Sequence, residues 1–166
     1  MYARAQGGAA GTSARDARFM RRALGLARAA ARRGEVPVGA IVVLGDRAVA
    51  GAGNGTIGRH DPTAHAEVLA LRRAARRVRN HRLTGATLYV TLEPCLMCCG
   101  AAVHARVARV VFGAADPKVG AISSHFDRGG PAGLNHRFAI AGGVGAAASA
   151  GILREFFRTR RRTRLK

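Results

Sequence analysis

The feature that most restricts how this chain can fold is a set of ligand-type side chains split between two distant segments, His65-Ala66-Glu67 and Pro94-Cys95-Leu96-Met97-Cys98. An imidazole and two sulfurs are donors that Zn²⁺ accepts. Three protein ligands also leave a fourth tetrahedral position for water, which a hydrolytic site needs and a structural one lacks. Cys95 and Cys98 share a face of the first turn of a short helix opening near Cys95, where the positive helix end favours thiolates. Glu67, close in sequence to the proposed ligand His65, is a carboxylate placed to handle protons. Residues two apart do not share a face of a regular helix, so His65 and Glu67 reach one centre only by lying at a helix mouth.

The remaining pattern supplies the elements around these segments. Phe19, Met20, Ala23, Leu24, Ala27, Ala30 and Ala31 recur at helical spacing, with Arg21, Arg22, Arg28 and Arg32 mostly off that face, and Gly34 is placed to end the helix. Val36 to Leu44 is a nearly continuous apolar run with β-branched residues, which suits a buried strand; Gly45-Asp46 turns it into a hairpin partner over Arg47 to Ala52. A loop of turn formers, Gly53 to Ala64, leads to a helix over about His65 to Val78, with Asp61 or Thr63 as its cap. Strand character returns at Thr87 to Leu92 and at Arg106 to Gly113, followed by an irregular loop, Asp116 to Gly133, and a short strand, Arg137 to Ala141. A last helix runs from about Ala146 into the basic stretch Arg158 to Lys166. This order defines a layered α/β domain with a mixed sheet. We read residues 1–18 as a leader and 19–166 as one domain ending in a basic helix, since 166 residues suit a single core.

The 28 basic residues against 9 acidic ones give a formal charge of +19, which implies a polyanionic partner. All but Lys118 and Lys166 are arginines, whose guanidinium groups pair with phosphate and stack on bases. Part of that excess is what a GC-rich genome supplies, but the field exists whatever its origin. The cysteines cluster at 95, 98 and 99, which argues for metal and against a disulfide framework. Neighbours on a helix point about 100° apart, so Cys99 is read as a buried small apolar residue and not as a ligand. His60, His81, His104, His125 and His136 are read as structural or exposed. No run approaches the roughly 18 apolar residues of a membrane helix, and Met1 to Arg18 lacks the apolar centre of a secretory signal. A soluble, cytoplasmic bacterial protein without an organic cofactor is expected. The leader's composition fits a disordered N-terminus, with an organellar transit peptide as the lesser alternative.

HxE followed by PCxxC is the signature of zinc nucleobase deaminases. Beyond it, Glu35 to Ala40, Gly58 to Glu67, Thr87 to Cys98, Asn135-His136-Arg137 and Phe156-Phe157-Arg158 resemble the bacterial tRNA-specific adenosine deaminases of the cytidine deaminase-like family, from about Phe19 to Arg162. The resemblance implies a three-layer α/β fold, a five-stranded mixed sheet flanked by helices, one Zn²⁺ per subunit, and a homodimer with its active site near the interface. The implied reaction is hydrolytic conversion of adenosine to inosine at the wobble position of a tRNA anticodon. By the same resemblance His65, Cys95 and Cys98 are the zinc ligands, Glu67 the proton shuttle and Asn54 a substrate-orienting amide. Asp116, Phe156, Phe157, Arg158 and Arg160 match positions near the anticodon stem-loop. Without the family, Asn54 between glycines is as readily a turn residue, Asp116 a cap, and the Phe pair an anchor for a helix with a solvated basic end. Two other functions share part of the pattern. A deaminase of free bases or nucleosides has no use for the charge, and a non-catalytic zinc-stabilised RNA-binding module needs a fourth protein ligand and leaves Glu67 without a task.

Overall fold

The computed structural model of the chain describes residues 13–125 and 134–164. Helix α1 (Ala14–Arg32) begins where the Ser13 side chain accepts a hydrogen bond from the Asp16 amide. This cap starts the helix ahead of Phe19, so residues 14–18 of the expected leader form its first turn, and residues 1–12 lie outside the described residues. Strands β1 (Gly39–Leu44), β2 (Arg47–Gly53), β3 (Thr87–Leu92), β4 (Arg109–Ala114) and β5 (Ala139–Ala141) make one five-stranded sheet in the order β2-β1-β3-β4-β5. β1 runs antiparallel to β2 and β3, whereas β3, β4 and β5 are parallel, so the sheet is mixed as expected. Helices α2 (Ala66–Val78), α3 (Leu96–His104) and α4 (Ala146–Arg164) complete the domain.

Alternate strand residues point to opposite faces, so continuous apolar runs feed two cores. Ala40, Val42, Leu88, Val90, Val110 and Phe112 pack with Leu69, Ala70 and Ala74 of α2 and with Cys99, Ala102 and Val103 of α3. Ile41, Val43, Tyr89 and Val111 pack with Phe19, Met20, Ala23 and Leu24 of α1 and with Ile152 of α4. The result is three layers, with α1 and α4 on one face of the sheet and α2 and α3 on the other. Gly39 lets α1 lie directly on β1: a Cβ there would stand 2.1 Å from the Ala23 carbonyl oxygen and 2.6 Å from the Ala27 nitrogen.

A buried charge ties the start of α1 to the sheet. Asp16 is 4% exposed, accepts two bonds of 2.8 Å from the Arg109 guanidinium, and accepts a third of 2.8 Å from the Tyr89 hydroxyl. The Arg109 hydrogen bonds outweigh burial and hold the Asp16 carboxyl at about 2. Burial and the bond to Asp16 push the Tyr89 phenol up to about 12.

The caps of α2 and α3 differ from the sequence expectation. Asp61 and Thr63 do not cap α2; Asp61 Oδ1 instead accepts from the Thr63 amide at 2.8 Å and the Thr63 hydroxyl at 2.7 Å, closing a turn. The N-cap is His65 itself, and Cys95 holds the same position on α3.

Candidate metal and active site

An N-cap residue has extended backbone, and its side chain usually folds back onto the helix amides. His65 (φ −67°) and Cys95 (φ −74°) keep that backbone but make no side-chain cap bond. Their imidazole and thiol are therefore free to leave the helices and meet. His65 Nδ1 lies 3.7 Å from Cys95 Sγ and 3.5 Å from Cys98 Sγ, and the three ligand atoms all fall within 4.8 Å of one another. Zinc bonds of about 2.1 Å to nitrogen and 2.3 Å to sulfur at tetrahedral angles put N and S roughly 3.6 Å apart, so this donor set fits the ion. The metal-type cluster among the described residues is these three side chains, without a fourth His, Cys, Asp or Glu.

Glu67 is 4% exposed in the first turn of α2, and burial pushes its carboxyl up. With His65 one step outside the helix, the two residues point into one centre although they lie two apart. The Cys98 thiol, and after it His65, hydrogen-bond Cys95 and pull its thiol down to about 4. The same bond to Cys95, with burial, pushes Cys98 up. Cys99 is 1% exposed, with its sulfur 3.8 Å from the Pro94 and Ala121 carbonyl oxygens, in the core position expected of it.

Two loops flank the triangle, and each folds around a buried glutamate that the motifs do not single out. Glu93, 2% exposed, accepts from the amides of Asp116, Ile122, Ser123 and Ser124 at 2.7–3.1 Å and from the hydroxyls of Ser123 and Ser124. Burial would raise its carboxyl, but the Ser124 hydroxyl and the loop amides outweigh it and hold it at about 2. Gly120 passes so close that a Cβ would stand 2.5 Å from Glu93 Cδ and Oε2. The same glycine bridges Cys95, and the Ala121 amide donates to the Pro94 carbonyl at 2.8 Å, so the 116–124 loop is fastened to the ligand segment.

On the other side Glu35, also 2% exposed, accepts from the amides of Gly58 at 2.7 Å and Ile57 at 3.2 Å and from the Thr56 hydroxyl at 3.4 Å. Burial opposes ionisation here too, and the Gly58 and Ile57 amides overcome it, lowering the carboxyl. Asn54 begins this loop. It is 6% exposed, its Nδ2 donates to Thr56 Oγ1 at 3.4 Å, and the adjoining Gly55 amide donates to the carbonyl of Ala64, next to His65, at 3.0 Å. A charged residue directly after a helix or after an apolar strand is the one sequence signal that could have found Glu35 and Glu93.

The remaining predicted residues lie further out. Asp116 Oδ1 accepts from the Lys118 and Val119 amides at 2.9 and 3.3 Å, capping its own turn. Phe156 and Phe157 meet edge to face at 5.4 Å, and Phe157 is 44% exposed. Phe157 and Arg158 line a cleft of about 800 Å³ with Lys118, and Lys118 also lines a cleft of about 530 Å³ that reaches Cys95. Arg160 is turned elsewhere: its guanidinium lies 4.9 Å over the Phe156 ring and donates to the Gly34 carbonyl at 2.6 Å, beside Glu35.

A three-layer α/β domain with a His/Cys/Cys triangle and a buried glutamate at two adjoining helix mouths defines a deaminase of the cytidine deaminase-like class. The family model of the MafB19-like deaminases matches residues 14–161. The tRNA-specific adenosine deaminase of Haemophilus influenzae is 48% identical over 147 residues, covering 88% of this chain and 85% of that one. A solved structure from work on A-to-I editing by tRNA:A34 deaminases at the wobble position of transfer RNA is similar with a TM-score of 0.79 and 44% identity, over 82% of this chain and 99% of that one. A guanine deaminase from Nitrosomonas europaea is similar at a TM-score of 0.70 and 26% identity, over 82% of this chain and 81% of that one. The chain belongs to the MafB19-like deaminase family and, within it, to the tRNA-specific adenosine deaminases.

Proposed function

We propose that this protein hydrolyses the wobble adenosine of a tRNA anticodon to inosine and ammonia, with zinc held by His65, Cys95 and Cys98. The observation that carries the proposal is the triangle of ligand atoms, with His65 Nδ1 3.7 and 3.5 Å from the two sulfurs and Glu67 buried in the adjoining helix turn, in a chain whose relatives over most of its length are tRNA-specific adenosine deaminases. Bound zinc supplies Lewis acidity and acidifies water in its open position. Two thiolate charges temper that effect and leave Glu67 the larger share of water activation. Glu67 takes one proton from the water that adds to adenine C6 and delivers it to the ring nitrogen N1, then carries the remaining proton of the new C6 hydroxyl to the amino group, which leaves as ammonia as the C6 carbonyl forms.

Asn54 orients the base from the loop beside His65. Asp116 has one oxygen committed to its turn and offers the other to a ribose 2′-OH, a contact that separates RNA from DNA. The clefts joined at Lys118 suit a strand leaving the site, with Phe157 for stacking and Arg158 for phosphate; Arg160, with Phe156, stands at the rim by Gly34. Leu96, Met97 and Val119, at 50%, 37% and 58% exposure beside Cys95, are an apolar surface fit for the second copy of a homodimer near its active site. No described helix is long and apolar enough to cross a membrane, and a tRNA substrate supports the reading of a cytoplasmic enzyme.

The test is incubation of the zinc-loaded protein with an anticodon stem-loop carrying wobble adenosine, with free adenosine and guanine in parallel. Inosine in the stem-loop, at a kcat/KM far above that for the free compounds, is expected. Comparable activity on free adenosine or guanine would replace this reading with that of a free-base deaminase.

A further inference from the structure

Asn54 is the outer end of a chain of polar groups that terminates on a buried charge. A carboxylate only accepts, so the proton of the Thr56 hydroxyl, whose oxygen lies 3.4 Å from Glu35 Oε2, is committed to Glu35. Thr56 Oγ1 is left with lone pairs, and the Asn54 atom 3.4 Å from it has to be the donor Nδ2 and not the acceptor Oδ1. Polarity therefore runs one way, from Asn54 to Thr56 to Glu35. The ends of the chain are fixed independently: the Gly58 and Ile57 amides hold Glu35, and Arg33 donates to the Asn54 backbone carbonyl at 3.3 Å. Among the described residues Asn54 Oδ1 has no donor, yet the wholly buried side-chain atom without a partner is Ser149 Oγ, so Oδ1 is open to an incoming group.

An amide that presents a carbonyl and an N–H side by side complements the amino group and N7 of adenine, whereas the same edge of guanine offers two acceptors. We propose that Glu35 is a positioning residue for base recognition: through Thr56 it fixes which end of the Asn54 amide meets the base, and so favours adenine. This rests on the reading of Asn54 as a base-contacting residue.

The experiment compares stem-loops carrying adenosine or 7-deazaadenosine, which lacks the N7 acceptor, at the wobble position, using zinc-loaded wild type, Thr56→Val, Thr56→Ser, Glu35→Gln and Asn54→Ala. The intrinsic effect of the ring change is common to all variants, so the ratio of the two kcat/KM values isolates the amide contact. Thr56→Val keeps the shape and loses the hydroxyl; its ratio is expected to fall about tenfold, to the level of Asn54→Ala, with zinc content unchanged and the fold retained. Thr56→Ser restores the wild-type ratio, and Glu35→Gln, which lets the hydroxyl turn, lowers it. Thr56→Ala replaces Thr56→Val if the latter does not fold. A wild-type ratio in Thr56→Val beside a lowered one in Asn54→Ala overturns the Glu35 relay alone. A wild-type ratio in Asn54→Ala overturns the reading of Asn54 and the relay with it.

Discussion

At the residue scale the sharpest contrast is between Cys98 and Cys99, identical side chains on adjoining positions of α3. Cys98 faces His65 at 3.5 Å, while Cys99 points into the core against the Pro94 and Ala121 carbonyls. Cys98→Ala is expected to abolish zinc binding. Cys99→Ala should keep stoichiometric zinc and near wild-type kcat/KM while losing about 1 kcal/mol of stability, as metal analysis and thermal denaturation will show. This division was legible in the sequence because the helical period alone separates neighbours by about 100°. Glu35 and Glu93 were not legible. Their partners are mainly backbone amides of loops 22 to 31 residues away, and an amide leaves no mark in a side-chain pattern. Asp116 falls between the two cases: its turn-capping was foreseen as the plainer alternative, and the sequence could not show that the same turn hangs from Glu93.

At the scale of elements, the site depends on two helices opening at one point, and the sequence showed both through the spacing of His65, Glu67, Cys95 and Cys98. It did not show that the candidate ligands His65 and Cys95 themselves occupy the N-caps, because His and Cys are poor capping residues by propensity and Asp61 and Thr63 are good ones. Tertiary demand overrides the local preference: a side chain engaged in capping could not also reach the His65, Cys95 and Cys98 cluster. Elsewhere the elements are held by ionised carboxylates, which sets a pH dependence. Asp16 clamps α1 to β3 and β4, and Glu93 clamps the 116–124 loop; both sit at about 2 when folded and near the ordinary carboxylate range when unfolded. Their contribution is complete above about pH 4 and is lost as pH falls through about 2. Asp16→Asn is therefore expected to cost about 2 kcal/mol at neutral pH and to flatten the fall in stability between about pH 4 and 2, read by denaturant titration across that range. An unchanged pH profile would remove Asp16 from this role.

At the scale of the whole molecule the dominant quantity is the charge of +19. Among the described residues the arginines paired with carboxylates are Arg15, Arg18 and Arg109, so most of the positive field is uncompensated within the protein. Arg158 and Arg161 line the cleft that shares Lys118 with the Cys95 cleft, where the proposed RNA strand would meet that field. The double change Arg158→Ala with Arg161→Ala is expected to lower kcat/KM on the stem-loop and to reduce the slope of its logarithm against log salt by about 1 to 2. An unchanged slope would assign this helix to the solvated surface. The proposed hydrolysis at the His65, Cys95 and Cys98 triangle depends on Glu67 to move its protons. Its most direct test is inosine formation by Glu67→Gln against wild type, both shown by metal analysis to carry one zinc per subunit. A loss of at least about 10²-fold in kcat with zinc retained is expected, and a zinc-loaded Glu67→Gln enzyme that deaminates at the wild-type rate would contradict the account.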